Sequence, residues 1–147
     1  MRTITLRSET DFEGWRNAAR TLLQQQIAPD QVHWRITGSD GSLFDEPDCA
    51  VARSAPASFR VPREFLQLAQ RVVVHRSRER FALLYRLLWR LQAEPRLLSV
   101  AVDDDVARAV AMAKSVSRDV HKMKAFVRFR ELPTDNGPAF IAWFEPE

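Results

Sequence analysis

A chain of 147 residues, 46% apolar and 28% charged, has the length and composition of one soluble globular domain. It can bury a sizeable core without metal or disulfide staples. Four glycines cannot supply the loops of dinucleotide or P-loop sites, and a single cysteine, Cys49, excludes an internal disulfide framework and fits a reducing compartment.

The net charge of +3 is unevenly spread. Residues 1–75 are neutral, residues 76–131 carry 13 Lys and Arg against seven acids, and the last 16 carry three acids and no base. Arg outnumbers Lys, which suits bidentate phosphate contact and also follows from GC-rich coding. No apolar run approaches signal-peptide length at the N-terminus or the roughly 20 residues of a membrane span, so a cytoplasmic protein with no membrane partner is expected.

Arg2 to Leu6 is a short β-prone run, and Ser8, Glu9 and Asp11 resemble the start of a helix. Phe12, Trp15, Ala19, Leu22 and Leu23 then form one apolar stripe, giving a first helix to about Gln26. Pro29 and Asp30 end it, and Val32, Trp34 and Ile36 alternate with His33 and Arg35 as a strand. Strand, helix, strand permits a crossover that puts both strands in one sheet. Thr37 to Ser58 reads as a long connection with Leu43, Phe44 and Val51 as its anchors, a length that is usually either mobile or functional.

Pro62 suits a first helical turn, and Phe65, Leu68, Ala69, Val72 and Val73 make the stripe of a second helix. A third, from about Arg78 to Gln92, is apolar on more than one face and so is predicted to be central, with Arg86 and Arg90 marking its wet side. Val106, Val110, Ala113, Val116, Val120 and Met123 define a fourth. Asp103, Asp104 and Asp105 stand where its free amides are, and Arg118, His121, Lys122 and Lys124 towards its carbonyl end.

From Ala125 the period becomes two: Val127 and Phe129 point one way, Arg128 and Arg130 the other, as in a strand with one buried face. Pro133 to Pro138 is the predicted connection to a last strand, Ala139 to Phe144. The architecture expected is α+β: about four helices packed on a small mixed or antiparallel sheet, with a C-terminal β-hairpin, all in one domain over residues 1–147. An ending directly after an apolar strand suggests a fragment, or the N-terminal part, of a longer protein.

Lys114, Arg118 and His121 or Lys122 share a helix face that can continue into Arg128 and Arg130. One reading is a phosphate-contacting surface; the other is a solvated face that complements the helix dipole. Phe140, Trp143 and Phe144 pose a similar choice. They are either a stacking platform for bases or, as residue type favours, interior groups, with Ile141 and Trp143 against the helices and Phe140 and Phe144 against a segment outside this chain. His33, His75, His121 and Cys49 have no ligand-like spacing, so no metal and no cofactor is expected. Asp119 and His121, two apart on a helix, do not face each other, which weakens an acid–base pair.

The strings VPREFLQLAQRVVVHR (Val61 to Arg76), RFALLYRLLWRL (Arg80 to Leu91), SVSRDVHKMKAFVRFRE (Ser115 to Glu131) and AFIAWFEPE (Ala139 to Glu147) resemble a bacterial domain of uncharacterised function. It is found N-terminal to a uracil-DNA glycosylase-like domain, or as a shorter protein paired with a radical-SAM protein, and is described as a probable DNA metabolism protein. The resemblance implies DNA repair or DNA metabolism, with the chemistry held by the partner; it supplies no catalytic residues. The chain lacks the glycosylase's own water-activating motif and cluster-binding cysteines.

The function expected is therefore an accessory domain, not catalytic on its own. It would bind nucleic acid through Arg118, His121, Lys122, Lys124, Arg128 and Arg130, with Arg86 and Arg90 secondary, mainly by phosphate contact with DNA. The alternatives are a module docking the glycosylase-like or radical-SAM partner through the terminal strand and the 37–58 connection, and an enzyme using His121. Pairing of an exposed terminal strand offers a route to a homodimer.

Overall fold

The computed structural model describes residues 1–37 and 59–145. The predicted connection from Thr37 to Ser58, with Cys49, Leu43, Phe44 and Val51, lies outside the described residues except for Thr37. The elements are β1 (Arg2–Leu6), α1 (Phe12–Gln24), a 3-10 turn (Pro29–Gln31), β2 (Val32–Ile36), α2 (Arg63–Val73), α3 (Arg80–Leu91), a second 3-10 turn (Leu97–Ser99), α4 (Asp104–Phe126), β3 (Arg130–Thr134) and β4 (Gly137–Ile141). This is the expected mixture of four helices and small sheets, ending in an antiparallel hairpin.

The start of α1 shows how local chemistry sets a boundary. The Asp11 carboxylate accepts from the Gly14 amide at 2.8 Å and from the Arg7 amide at 3.1 Å, which satisfies a donor that the first turn leaves open. Gly14 is needed for that approach, because a Cβ there would collide with the Asp11 side chain. The strands flanking α1 pair in parallel, from Arg2 opposite Val32 to Leu6 opposite Ile36. Burial of Leu6 and Val32 fixes their inner face.

α3 is the centre of the body, as its all-round apolar pattern predicts, with Phe81, Leu83, Leu84, Tyr85, Leu87, Leu88 and Leu91 buried. An aromatic network joins it to its neighbours. Trp15 lies 6.1 Å from Phe12, 6.4 Å from Trp34 and 6.4 Å from Phe65, and Trp34 lies 5.9 Å from Tyr85. Two of the polar ring atoms find acceptors: Trp15 Nε1 donates to the Phe81 carbonyl at 3.2 Å, and the Tyr85 hydroxyl donates to the Ile27 carbonyl at 2.7 Å, whereas the buried Trp34 Nε1 meets none among the described residues. Burial also pushes the Tyr85 hydroxyl well above its ordinary pKa.

One charge is buried here. Arg80 is 3% exposed, and its guanidinium donates to the carbonyls of Val73 (2.8 Å), Ser77 (2.7 Å) and Glu9 (2.6 Å). It ties the end of α2, the start of α3 and the segment before α1 together, and its cation rests 4.5 Å from the centre of the Phe81 ring.

The C-terminal part departs from the alternation read in the sequence. The predicted strand from Ala125 does not begin there: α4 continues to Phe126, capped by the Val127 amide on the Met123 carbonyl at 3.2 Å, and pairing starts only at Arg130. Met123, Lys124 and Ala125 are good helix formers, and among the described residues no strand lies opposite residues 127–129 to outcompete the helical bonds.

The last strand is Gly137–Ile141 rather than Ala139 to Phe144, because only Asp135 and Asn136 form the turn. Gly137, at φ +110, takes a conformation that side chains disfavour, and the Thr134 hydroxyl donates to its carbonyl. Nor does the hairpin bury a face. β3 is exposed along its whole length and β4 everywhere except Ala139, which is half-buried.

Candidate nucleic-acid interface

Among the described residues α4 is buried only in its first half. Its 23 residues span about 34 Å, and it packs on α2 and α3 through the buried Val106, Ala109 and Ala113, with Val110 and Met112 beside them. Beyond Ala113 the apolar stripe runs on past the core of the described residues: Val116 is half-buried, Val120 is 40% exposed, Met123 44% and Phe126 73%. The second half of α4 and the hairpin thus form an arm whose apolar pattern outlasts the core.

The anchored end is acidic and the arm is basic, and the structure separates the two sets of arginines accordingly. Asp103 caps α4, its Oδ1 accepting from the amides of Asp105 at 3.1 Å and Val106 at 3.2 Å. The same carboxylate takes Arg90 Nη2 at 2.7 Å, while Arg90 Nη1 meets Asp105 at 3.2 Å and Arg90 Nε meets Glu94 at 3.3 Å. Arg86 Nε lies 3.4 Å from Asp105.

Hydrogen bonding to Asp103 and Glu94 raises the Arg90 pKa, and Arg90 in turn holds Asp103 below its ordinary value. Arg90, with all three guanidinium nitrogens facing carboxylates, joins α3 to the start of α4. Arg86 is half committed to the same cluster. Sequence reading missed this pairing, although three consecutive acids one loop after an i, i+4 arginine pair are the signal that could have shown it.

On the arm the cations are of another kind. Lys114, Arg118, His121, Lys124, Arg128 and Arg130 are exposed, and no side-chain hydrogen bond or ion pair ties them to the described residues. Lys122 is half-buried and partnered. From Lys114 to Arg130 there are six Lys and Arg against one acid, Asp119. An open depression of about 430 Å³ on α4 is lined by Ser117, Arg118, His121, Lys122 and Phe126, so four of these five residues are cationic or aromatic.

Directly opposed residues of the hairpin share a face: Arg130 with Ile141 and Leu132 with Ala139 on one, Glu131 with Phe140 on the other. The expectation that Val127 and Phe129 form a buried face, and that Ile141 and Trp143 lie against the helices, is overturned. Phe129 is 68% exposed, Phe140 64%, Ile141 54% and Trp143 84%. β3 and β4 bury neither face among the described residues, so these side chains are left exposed.

His75, just past the end of α2, lies within electrostatic reach of the arm, since the charge of Asp119 on α4 acts on it. His75 is half-buried, its Nδ1 accepting from the Ser77 amide at 3.1 Å, and burial followed by the charges of Arg76 and Arg80 lowers its pKa. Among the described residues no group of three or more His, Cys, Asp or Glu side chains is placed to hold a metal ion, and no helix is long and apolar enough to cross a membrane.

Together these features define a mixed α+β domain that carries a cationic, aromatic-bearing helix–hairpin arm. Residues 78–147 match the family described as a domain of unknown function, DUF4130. The match takes in α3, α4 and the hairpin, hence both the Arg90 clamp and the arm, and leaves out β1 to α2. No curated protein and no solved structure matches the chain.

Proposed function

We propose that the protein is an accessory domain of DNA repair or DNA metabolism that holds nucleic acid on its arm. A glycosylase-like domain or a radical-SAM protein would supply the chemistry. The observation that carries this is the concentration of exposed basic side chains from Lys114 to Arg130, five of whose six Lys and Arg have no bond to the described residues. A phosphate backbone would neutralise them and release its counterions.

Arg118, His121, Lys122, Lys124, Arg128 and Arg130 make up the contact set. Arg86 stands at its margin, and Arg90 drops out because carboxylates already occupy its donors. The cytoplasmic location expected from the sequence accompanies this reading.

The test is fluorescence anisotropy of labelled DNA across a salt series, with the wild type and the Arg128→Glu/Arg130→Glu variant. Each lost phosphate contact reduces the slope of log affinity against log salt by about 0.7 for single strands or about 0.9 for duplex. Weaker binding with a shallower slope is expected of the folded variant. Equal affinity and slope would overturn the proposal.

A second reading, docking of the partner protein, is favoured by Leu132 and Ile141 on one exposed face of the hairpin, next to strand edges that pair with no other strand among the described residues. Capture of the partner by the wild type but not by an Ile141→Asp variant, without DNA, would support it.

A further inference from the structure

Resting on the nucleic-acid reading just given, we infer that the ligand of the arm is a single strand, whose bases stack on Phe126 and Trp143, with Phe129 and Phe140 as further platforms. Every exposed aromatic residue among the described ones lies in the arm: Phe126, Phe129, Phe140 and Trp143. In the body the same residue types are buried or half-buried and interlocked. Exposed rings placed among cations are what a single strand requires. Its phosphates take the charge and its unpaired bases offer ring faces, each stack stabilising by about 1–3 kcal/mol.

A duplex offers no such faces, because its bases already cover one another, and it is read instead through base edges in a groove. Arg118, Arg128 and Arg130, and Asn136 at the hairpin turn, have the chemistry to reach base edges in a groove, but that mode of binding gives the four exposed rings no base face to meet. A second copy of this chain would bring six Lys and Arg against the same six, a like-charge contact that opposes pairing of two arms.

An anionic membrane is the remaining surface that aromatic and basic residues suit. A helix lying on a membrane segregates its apolar face from its basic face. Here Phe126 lines one depression together with Arg118, His121 and Lys122. That mixture presents ring and charge to the same ligand, as a nucleotide needs, and would drag cations into the acyl boundary.

The test uses the full 147-residue chain with an oligothymidylate, a self-complementary duplex of equal length, and vesicles rich in phosphatidylserine. Trp143 is the exposed indole, so stacking on it quenches emission on titration with oligothymidylate, and Trp143→Phe abolishes the quench while retaining binding. Phe126→Ala/Trp143→Ala should lower single-strand affinity by about tenfold or more, leave duplex affinity unchanged and leave the unfolding temperature unchanged, since both side chains are exposed.

If oligothymidylate and duplex bind equally and the alanine variant matches the wild type for both, the stacking inference fails and the phosphate reading stands. If vesicles bind and oligothymidylate does not, the surface is a membrane face and the inference is overturned. If neither nucleic acid binds in low salt, the nucleic-acid reading falls and takes the inference with it.

Discussion

The body and the arm use the same kinds of residue for opposite ends. In the body, Trp15, Trp34, Phe65, Phe81 and Tyr85 pack ring against ring; Trp15 Nε1 and the Tyr85 hydroxyl donate to main-chain carbonyls, while the buried Trp34 Nε1 meets no acceptor among the described residues. In the arm, Phe126, Phe129, Phe140 and Trp143 face solvent among cations. Residue type alone therefore does not decide burial. What decides it is whether a second layer lies opposite, and among the described residues the core cluster that α4 shares with α2 and α3 has Ala113 as its last member. Charge divides in the same way: Arg80 and Arg90 are consumed by carbonyls and carboxylates that fix the fold, whereas Arg118, Arg128 and Arg130 fix nothing among the described residues.

Substitution should expose that contrast. Trp15→Ala, at the crossing of α1, β2, α2 and α3, is expected to cost about 3–5 kcal/mol in chemical denaturation, through the cavity and the lost indole hydrogen bond. Arg80→Ala leaves the Val73, Ser77 and Glu9 carbonyls without their donor and should cost about 2–3 kcal/mol, the value of a hydrogen bond to a charged group.

Arg90→Ala removes a partly exposed ion-pair cluster, so about 1 kcal/mol is expected, or about 2–4 °C in unfolding temperature. Because Arg90 depresses the Asp103 pKa, its contribution is present above pH 3.8 and fades as pH falls through the lower folded value. His75 acts higher on the scale. Its folded pKa is below 6.5, so its contribution is complete above that pH and is lost as pH falls towards the folded value, which titration of its ring protons by NMR would follow. Smallest of all, Trp143→Ala should leave stability within about 0.5 kcal/mol of the wild type. A loss comparable to that of Trp15→Ala would show that the arm packs on something and would break the comparison.

Periodicity made the body legible. The stripes of α1, α2 and α3 stand within a few residues of their predicted bounds, and the all-round apolar pattern of α3 rightly marked it as central. Asp103 was legible as the start of α4, but its capture of Arg90 was not, because that contact depends on how two helices meet across the Leu97–Ser99 turn.

The hairpin was legible as a hairpin and not in its register. Alternation at Val127, Phe129 and the arginines looks the same whether one face meets a core or water, and the end of α4 was decided by the missing partner strand rather than by residue preference. The basic arm was visible as a stripe, and its exposure was not, because a stripe of Val116, Val120 and Met123 promises a neighbour, whereas among the described residues Val120 and Met123 are left exposed.

The most direct test of the arm as the functional surface is an NMR titration of the isotopically labelled chain with oligothymidylate, following backbone amides and the four tryptophan indoles. The account predicts shifts confined to Lys114 through Trp143, with the Trp143 indole moving while those of Trp15, Trp34 and Trp89 stay in place. Shifts centred on α1 to α3 with a silent arm, or no shifts at excess ligand, would contradict it.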